Sequence, residues 1–210
     1  DTQLSAGELA TELLDEARAF HFGTLSLTDE PAAAATRYAV DYARRRGALI
    51  SFDPNLRPPL WKSLEDAKVE IEYGMSKCDV LKISDNEVEF MCGTDDYDKG
   101  AAMIQEKYNI PLVLVTMGKA GSRAYYKGMI VEAAPFLQEN TIETTGAGDT
   151  FCASTLNYVL EHGLDNLTEE NLKELLTFAN AAASLITTRK GALRVMPSKQ
   201  EVLDFIESRK

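Results

Sequence analysis

Short runs rich in β-branched and aromatic residues alternate with longer amphipathic stretches through the first two-thirds of the chain. The runs fall at 20–25, 48–52, 80–83 and 112–116, the last preceded by Pro111. Between them, 31–46 and 63–75 carry helical patterning, as do a stretch from Asp85 and another after Asp95. The 31–46 stretch has Pro31 in its first turn, an apolar face at Ala35, Tyr38, Ala39 and Tyr42, and Arg44, Arg45 and Arg46 before Gly47. Proline at the start, cations at the end and a following glycine are helix boundary signals with physical causes. Strand–helix alternation of this kind predicts βαβ units: a mostly parallel sheet with helices on both faces.

The pattern changes after Thr116. Two runs, Ser122–Tyr126 and Met129–Ala133, are joined by Lys127-Gly128 and predict an antiparallel hairpin added to the sheet edge. The remainder, at 148–161, 169–187 and 198–208, is helical. No repeat, low-complexity segment or linker interrupts the chain, so residues 1–210 are expected to form one α/β domain. In open α/β sheets ligands bind beyond the carboxyl ends of the parallel strands. Asp53-Pro-Asn-Leu-Arg57, Ser84-Asp-Asn-Glu87 and Met117-Gly-Lys-Ala-Gly121 end three of these strands. They are expected to converge, with Gly146-Ala-Gly-Asp149 joining them at a helix start.

Composition narrows the partners. The 210 residues carry 22 Lys and Arg against 33 Asp and Glu, a net charge of −11. Nucleic acid and anionic membranes are held mainly by clustered cations, so neither is expected. Cys78, Cys92 and Cys152 are odd in number and widely spaced, which argues against a disulfide framework or a zinc ribbon. Two histidines leave little for a His-based metal cluster, and His21 reads as a core residue. The apolar runs are too short to cross a bilayer. A reducing, cytoplasmic setting is the simplest expectation. The chain begins at Asp1 rather than Met, and its acidic first twenty residues do not read as a signal peptide, so Asp1 is expected to be a cut or processed end.

The strongest chemical signal is Thr144-Thr-Gly-Ala-Gly-Asp-Thr-Phe151. Two glycines around Ala147 allow a tight turn that aims successive N–H groups at one spot. The helix that follows has apolar positions at Cys152, Leu156, Val159 and Leu160, and its N-terminus offers free donors to an anion. Asp149 lies in that first turn, where a charged carboxylate is a poor general base. It suits phosphoryl transfer, in which the acceptor hydroxyl loses its proton late and positioning dominates. The segment is neither a Walker A loop nor a dinucleotide fingerprint, since Phe151 stands where a third glycine is required. The plain alternative is a helix-start charge beside a turn. Other residues are less specific. Asp53, Asn55 and Arg57 suit a phosphate, a sugar or a surface turn. Glu87 suits hydrated Mg2+ or a helix dipole, and Asn180 an adenine edge or solvent. Thr116 and Gly118 suit a nucleotide, and Lys190-Gly-Ala192 a helix cap.

The ordered series resembles the ribokinase-like (PfkB-type) carbohydrate kinase family, and within it the fructokinases. It runs from Phe20-His-Phe-Gly through Ser51–Arg57, Pro59-Leu-Trp61, Lys82-Ile-Ser-Asp, Val115-Thr-Met-Gly118, Thr144–Phe151 and Asn180-Ala-Ala-Ala183 to Thr188-Arg-Lys-Gly-Ala192. The resemblance implies a ribokinase-like fold and an ATP-dependent kinase acting on a sugar hydroxyl, fructose first. Another ketose, 2-keto-3-deoxygluconate, or a nucleotide-binding piece without activity are the alternatives. Asp149 would be the base, and Gly146, Ala147 and Gly148 the anion hole. Thr116, Gly118, Gly121 and Asn180 would line the nucleotide pocket. Asn55 and Arg57 would lie near the phosphates and Glu87 near hydrated Mg2+. A monovalent cation such as K+ would be bordered by Glu143, Thr145 and Gly191. Two positions depart from the pattern: Glu143 replaces the usual Asp, and Ser84 the usual Asn of Asn-x-x-Glu. The resemblance further implies that the first strands, the sugar contacts and a β lid used for dimerisation would precede Asp1.

Overall fold

A computed structural model describes residues 2–209; Asp1, and with it the expectation of a processed end, lies outside the described residues. The chain divides into two compact units, one up to Val115 and one from Thr116.

In the first unit the predicted alternation is realised. After β1 (Ala19–Gly23) come α2 (Ala32–Arg45), β2 (Leu49–Asp53), α3 (Leu64–Lys77), β3 (Val80–Ser84), α4 (Asp85–Cys92), α5 (Tyr97–Tyr108) and β4 (Leu112–Thr116). A short α1 (Thr11–Asp15) precedes them. The strands stand in the order β1-β2-β3-β4, with β1–β2 and β2–β3 parallel. Ile50, Phe52, Val80, Leu81, Ile83 and Leu112 to Val115 are wholly buried, as the continuous apolar runs require of strands covered on both faces. Ser63, Ser84 and Asp96 cap α3, α4 and α5 by accepting the N–H three residues on. Each such cap contributes about 1 kcal/mol.

Three expectations for this unit are corrected. The buried residues of α2 are Ala32, Ala33, Ala35, Ala39, Val40 and Ala43; Tyr38 is 42% exposed. Small residues let the helix approach the sheet closely, and the two tyrosines pair beside it, 5.9 Å between rings, with the Tyr42 hydroxyl donating to Asp15 (2.7 Å). Pro31 caps α2 rather than entering its first turn, and the Glu30 carboxylate takes the Ala34 N–H (3.0 Å). His21 is exposed, not core, because strand alternation turns Phe22 inward instead; its Nδ1 lies 3.1 Å from Ser51 Oγ.

The second unit begins with the expected hairpin, β5 (Ser122–Tyr126) and β6 (Met129–Ala133), antiparallel with Ser122 opposite Ala133. Lys127 and Gly128 both have positive φ, the geometry of a two-residue turn that matches strand twist. Helices α6 (Ala147–His162), α7 (Glu169–Ile186) and α8 (Lys199–Glu207) follow. Cys152 and Val159 of α6 are buried as expected, together with Phe151 and Thr155; Leu156 and Leu160 are half-buried. Val202, Phe205 and Ile206 of α8 pack on Ala181 and Ala182 of α7, with Phe136 against Phe205 at 5.4 Å.

Candidate functional site

Each unit gathers part of the predicted set. In the second unit a cavity of about 370 Å3 is lined by Thr116, Gly118, Gly121, Asn180, Ala147 and Gly148, within the size range of small-molecule sites. The Met117–Gly121 turn closes on itself, with Met117 N–H donating to Gly121 O (2.8 Å). Gly121 sits at φ +93°, and a Cβ there would meet Ala133 O at 2.2 Å, so only glycine fits.

The glycine turn before α6 behaves as its sequence suggests. Gly146 adopts φ +79° and caps the helix, and the first helical bond runs from Thr150 N to Gly146 O (2.8 Å). The N–H groups of Gly148 and Asp149 therefore precede the ladder and have no intrahelical carbonyl. Ala147 N–H instead closes the turn onto Thr144 O (3.2 Å), so the free donors are those of the two residues that follow it. Asp149 is exposed in the first turn, and its carboxylate has no hydrogen-bond partner among the described residues. An uncommitted carboxylate beside uncommitted N–H donors is what an incoming hydroxyl and a phosphoryl group need. On the adjoining turn Glu143 Oε1 accepts Gly191 N–H (2.8 Å), joining two of the three residues expected around a monovalent cation; Thr145 is exposed beside them.

Asn180 does not face solvent, one of the two things its sequence context suggested. It is 9% exposed, and its amide is used within the protein: Oδ1 accepts Ser122 Oγ–H (2.9 Å), and Nδ2 donates to Ala133 O and Ala134 O (both 3.1 Å). It pins α7 to the hairpin and forms cavity wall. Sequence reasoning also missed the 134–146 loop, whose Pro135, Phe136 and Leu137 line the cavity. The apolar run after Ala133 was the available signal.

In the first unit, the Asp53–Arg57 turn and the start of α4 come together. Glu87 is buried, at 6% exposure: Oε2 accepts Ser84 N–H and Ser84 Oγ–H, and Oε1 accepts Leu56 N–H, all at 2.8 Å. Ser84 thus forms a capping box with Glu87, and the same carboxylate reaches across to hold the turn. Asp53 holds the turn from the other side, taking Asn55 N–H at 3.2 Å and pairing with Lys82 Nζ at 3.0 Å. Thr24 donates from both N and Oγ1 to Pro54 O (3.3 and 2.5 Å). Asn55 is set at φ +46°, and Arg57 stays exposed. Burial pushes the Asp53 carboxyl above its ordinary range, against the pull of Lys82, and Glu87 pushes the same way. Sequence reasoning gave Lys82 no role, although a lone lysine in the apolar 80–83 run was a visible signal.

With these carboxyl oxygens engaged, Glu87 does not fit a direct metal ligand. Among the described residues no group of three His, Cys, Asp or Glu side chains is placed to hold a metal ion. Nor is any described helix long and apolar enough to cross a membrane.

Parallel strands alternating with helices, and a cavity under a glycine turn at a helix N-terminus, define an α/β protein of the ribokinase-like kind with an anion-ready pocket. The chain belongs to the pfkB family of carbohydrate kinases, whose family model matches residues 2–199. It is 39% identical over 207 residues to fructokinase-2 of Solanum habrochaites, covering 99% of this chain and 63% of that protein. The structure of a fructokinase with bound ATP from Xylella fastidiosa superposes with a TM-score of 0.86 at 26% identity, covering 98% of this chain and 66% of that one. A fructokinase double mutant from Vibrio cholerae O395, in fructose-, ADP- and potassium-bound form, gives 0.81 at 26% identity, covering 92% and 63%. The chain thus spans just under two-thirds of the length of these relatives.

Proposed function

We propose that the chain is the nucleotide-binding and catalytic part of an ATP-dependent sugar kinase with fructose as acceptor, and that residues 1–210 act as one functional domain. The observation that carries this is the free Asp149 carboxylate beside the free N–H groups that open α6. In this reading the nucleotide lies in the second unit's cavity, against Thr116, Gly118, Gly121 and the Asn180 wall. The γ-phosphoryl group faces the turn of Gly146, Ala147 and Gly148. The sugar hydroxyl attacks phosphorus while its proton passes to Asp149. A new P–O bond forms, the bond to the β-phosphate oxygen breaks, and ADP leaves. Asn55 and Arg57 are assigned to the phosphates, and Glu87 to holding that turn in place.

Mg2+ is assigned to the nucleotide rather than to a protein cage, where it would neutralise phosphate charge. Glu87 reaches it at most through water, because its oxygens already take three protein donors. The second oxygen of Glu143, with Thr145 and Gly191, is assigned to a monovalent cation, in keeping with the potassium named for the Vibrio structure. We assign the protein to the cytoplasm, consistent with three free cysteines, and its full-length form to a homodimer.

Calorimetric titration with Mg2+–ATP, with and without fructose, is the test, followed by product assay. Nucleotide heat on the 210-residue chain is expected, and Asp149→Asn should keep that heat while abolishing fructose phosphorylation in whichever length of the protein turns over. Near-normal turnover by the variant would remove Asp149 from the role of base.

A further inference from the structure

We propose that Lys119 is the cation that binds the α- and β-phosphates of the nucleotide, the two that remain on ADP. This rests on the nucleotide reading above and adds to it a binding residue with a defined share of the ligand. The charge of the cavity carries the argument. The chain has 33 Asp and Glu against 22 Lys and Arg. Yet among the described residues that line the second unit's cavity none is acidic, and one, Lys119, is a cation. A concave site with a single sign of charge in an acidic chain draws an anion rather than a neutral or cationic ligand.

Most other cations of this unit are already committed. Arg123 pairs with Glu132 (2.9 Å), Arg189 with Glu201 (2.6 Å) and Lys199 with Glu161 (3.3 Å). Lys127 and Lys173 donate to the main-chain carbonyls of Asp165 and Glu132. Lys119 has no hydrogen-bond or ion-pair partner among the described residues. Lys190 and Arg194 have none either, but they lie outside the cavity lining. Lys119 is exposed in the Gly118–Ala120 turn and directly follows Gly118 of the nucleotide wall. The share of the ligand follows from the donors. The γ-phosphoryl group faces the Gly146–Gly148 turn, where the Gly148 and Asp149 N–H groups are open to it. The α- and β-phosphates come between that group and the nucleoside, and Lys119 is the cavity's one charge for them. An ammonium on a flexible stem carries three rotatable donors and serves phosphate oxygens as a point charge.

The experiment is titration of the 210-residue chain with Mg2+–ATP and Mg2+–ADP, for wild type, Lys119→Met and Lys119→Arg, with urea unfolding to check that each variant is folded. Lys119→Met should weaken both nucleotides alike, about tenfold and by no less than about fivefold. A smaller loss for both overturns the inference while leaving the nucleotide site intact. A loss for ATP with ADP kept would place Lys119 on the γ-phosphate and overturns it too. Salt separates charge from packing: raising NaCl from about 0.05 M to about 0.3 M should weaken wild type more than Lys119→Met, because screening acts on the ion pair that the variant lacks. Equal salt sensitivity refutes the charge role. Lys119→Arg keeps the charge and should bind both nucleotides within about fivefold of wild type; binding as weak as that of Lys119→Met counts against the inference. If wild type binds neither nucleotide, the nucleotide reading itself falls, and the inference with it.

Discussion

Lys82→Met tests the account of the first unit where it is most exposed. Lys82 and Asp53 have side chains only 9% and 7% accessible, with contacts of 3.0 and 3.2 Å between them. Methionine keeps most of the lysine's volume and removes its charge, so packing changes little while Asp53 is left buried without its cation. Breaking a buried pair from one side costs about 3–5 kcal/mol, and for a chain of this size each kcal/mol moves the melting temperature by about 2–4 °C. Loss of roughly 6–20 °C at neutral pH is expected. The sign of the pH dependence sharpens the test. Burial already raises the Asp53 carboxyl above its ordinary 3.8, and losing Lys82 raises it further. A carboxyl raised in the folded state favours the fold while protonated and loses that advantage as pH climbs through its folded value. The penalty of Lys82→Met is therefore largest near neutrality and shrinks as the solution is made acidic. Urea unfolding of wild type, Lys82→Met, Asp53→Asn and the double variant at several pH values measures both the coupling and its pH dependence. The double variant should recover much of the loss. A single-variant cost below about 1 kcal/mol, or one independent of pH, would refute the claim that this pair is a buried ionic support for the 53–57 turn.

Two further outcomes bear on the second unit. Thr150 is 4% exposed and its Oγ1 has no partner among the described residues, so Thr150→Val, which swaps a buried hydroxyl for a methyl, should be neutral or stabilise by about 1 kcal/mol in urea unfolding; a clear loss would contradict that reading of the hydroxyl. Glu201 at the start of α8 is held down to about 2, first by Ser198 N–H, then by Arg189 and the Ser198 hydroxyl. Its contribution is present above the ordinary 4.5 and lost as pH falls toward about 2. The gap in urea midpoint between wild type and Glu201→Gln should therefore narrow on acidification from pH 6 to pH 3, and a constant gap would contradict the assignment.

Element type was legible in this sequence because its physical causes are local. The Lys127-Gly128 turn fixed the hairpin, and Gly146 with Gly148 marked a helix start with spare donors, which needed no tertiary information. The expected strand runs met the observed strands within about two residues because their apolar stretches were continuous. What failed depended on the neighbour. Tyr38 and Ala39 are adjacent apolar residues on one helix, and only the space above the sheet decides that the alanine goes in. His21 read as core from the aromatic residues beside it, whereas strand alternation turned it outward.

The chemical residues separate along the same line. Asp149 is recognisable from sequence because the role proposed for it requires that nothing nearby bind it, and the local turn alone secures that. Glu87 and Asn180 carry equally suggestive contexts, yet their polar atoms are taken up by groups distant in sequence: Leu56 for one, Ser122, Ala133 and Ala134 for the other. A motif shows which atoms could meet a ligand, and only the hydrogen-bond partners show which are still free to. By that measure the Asp149 carboxylate and the Gly148 and Asp149 N–H groups are still open to a ligand in the second unit, whereas Asn180 is engaged in its cavity wall and Glu87 and Asp53 are engaged in holding a turn of the first unit. Variants should sort accordingly: Asp149 changes should act on turnover with stability kept, and Lys82 or Asp53 changes on stability first.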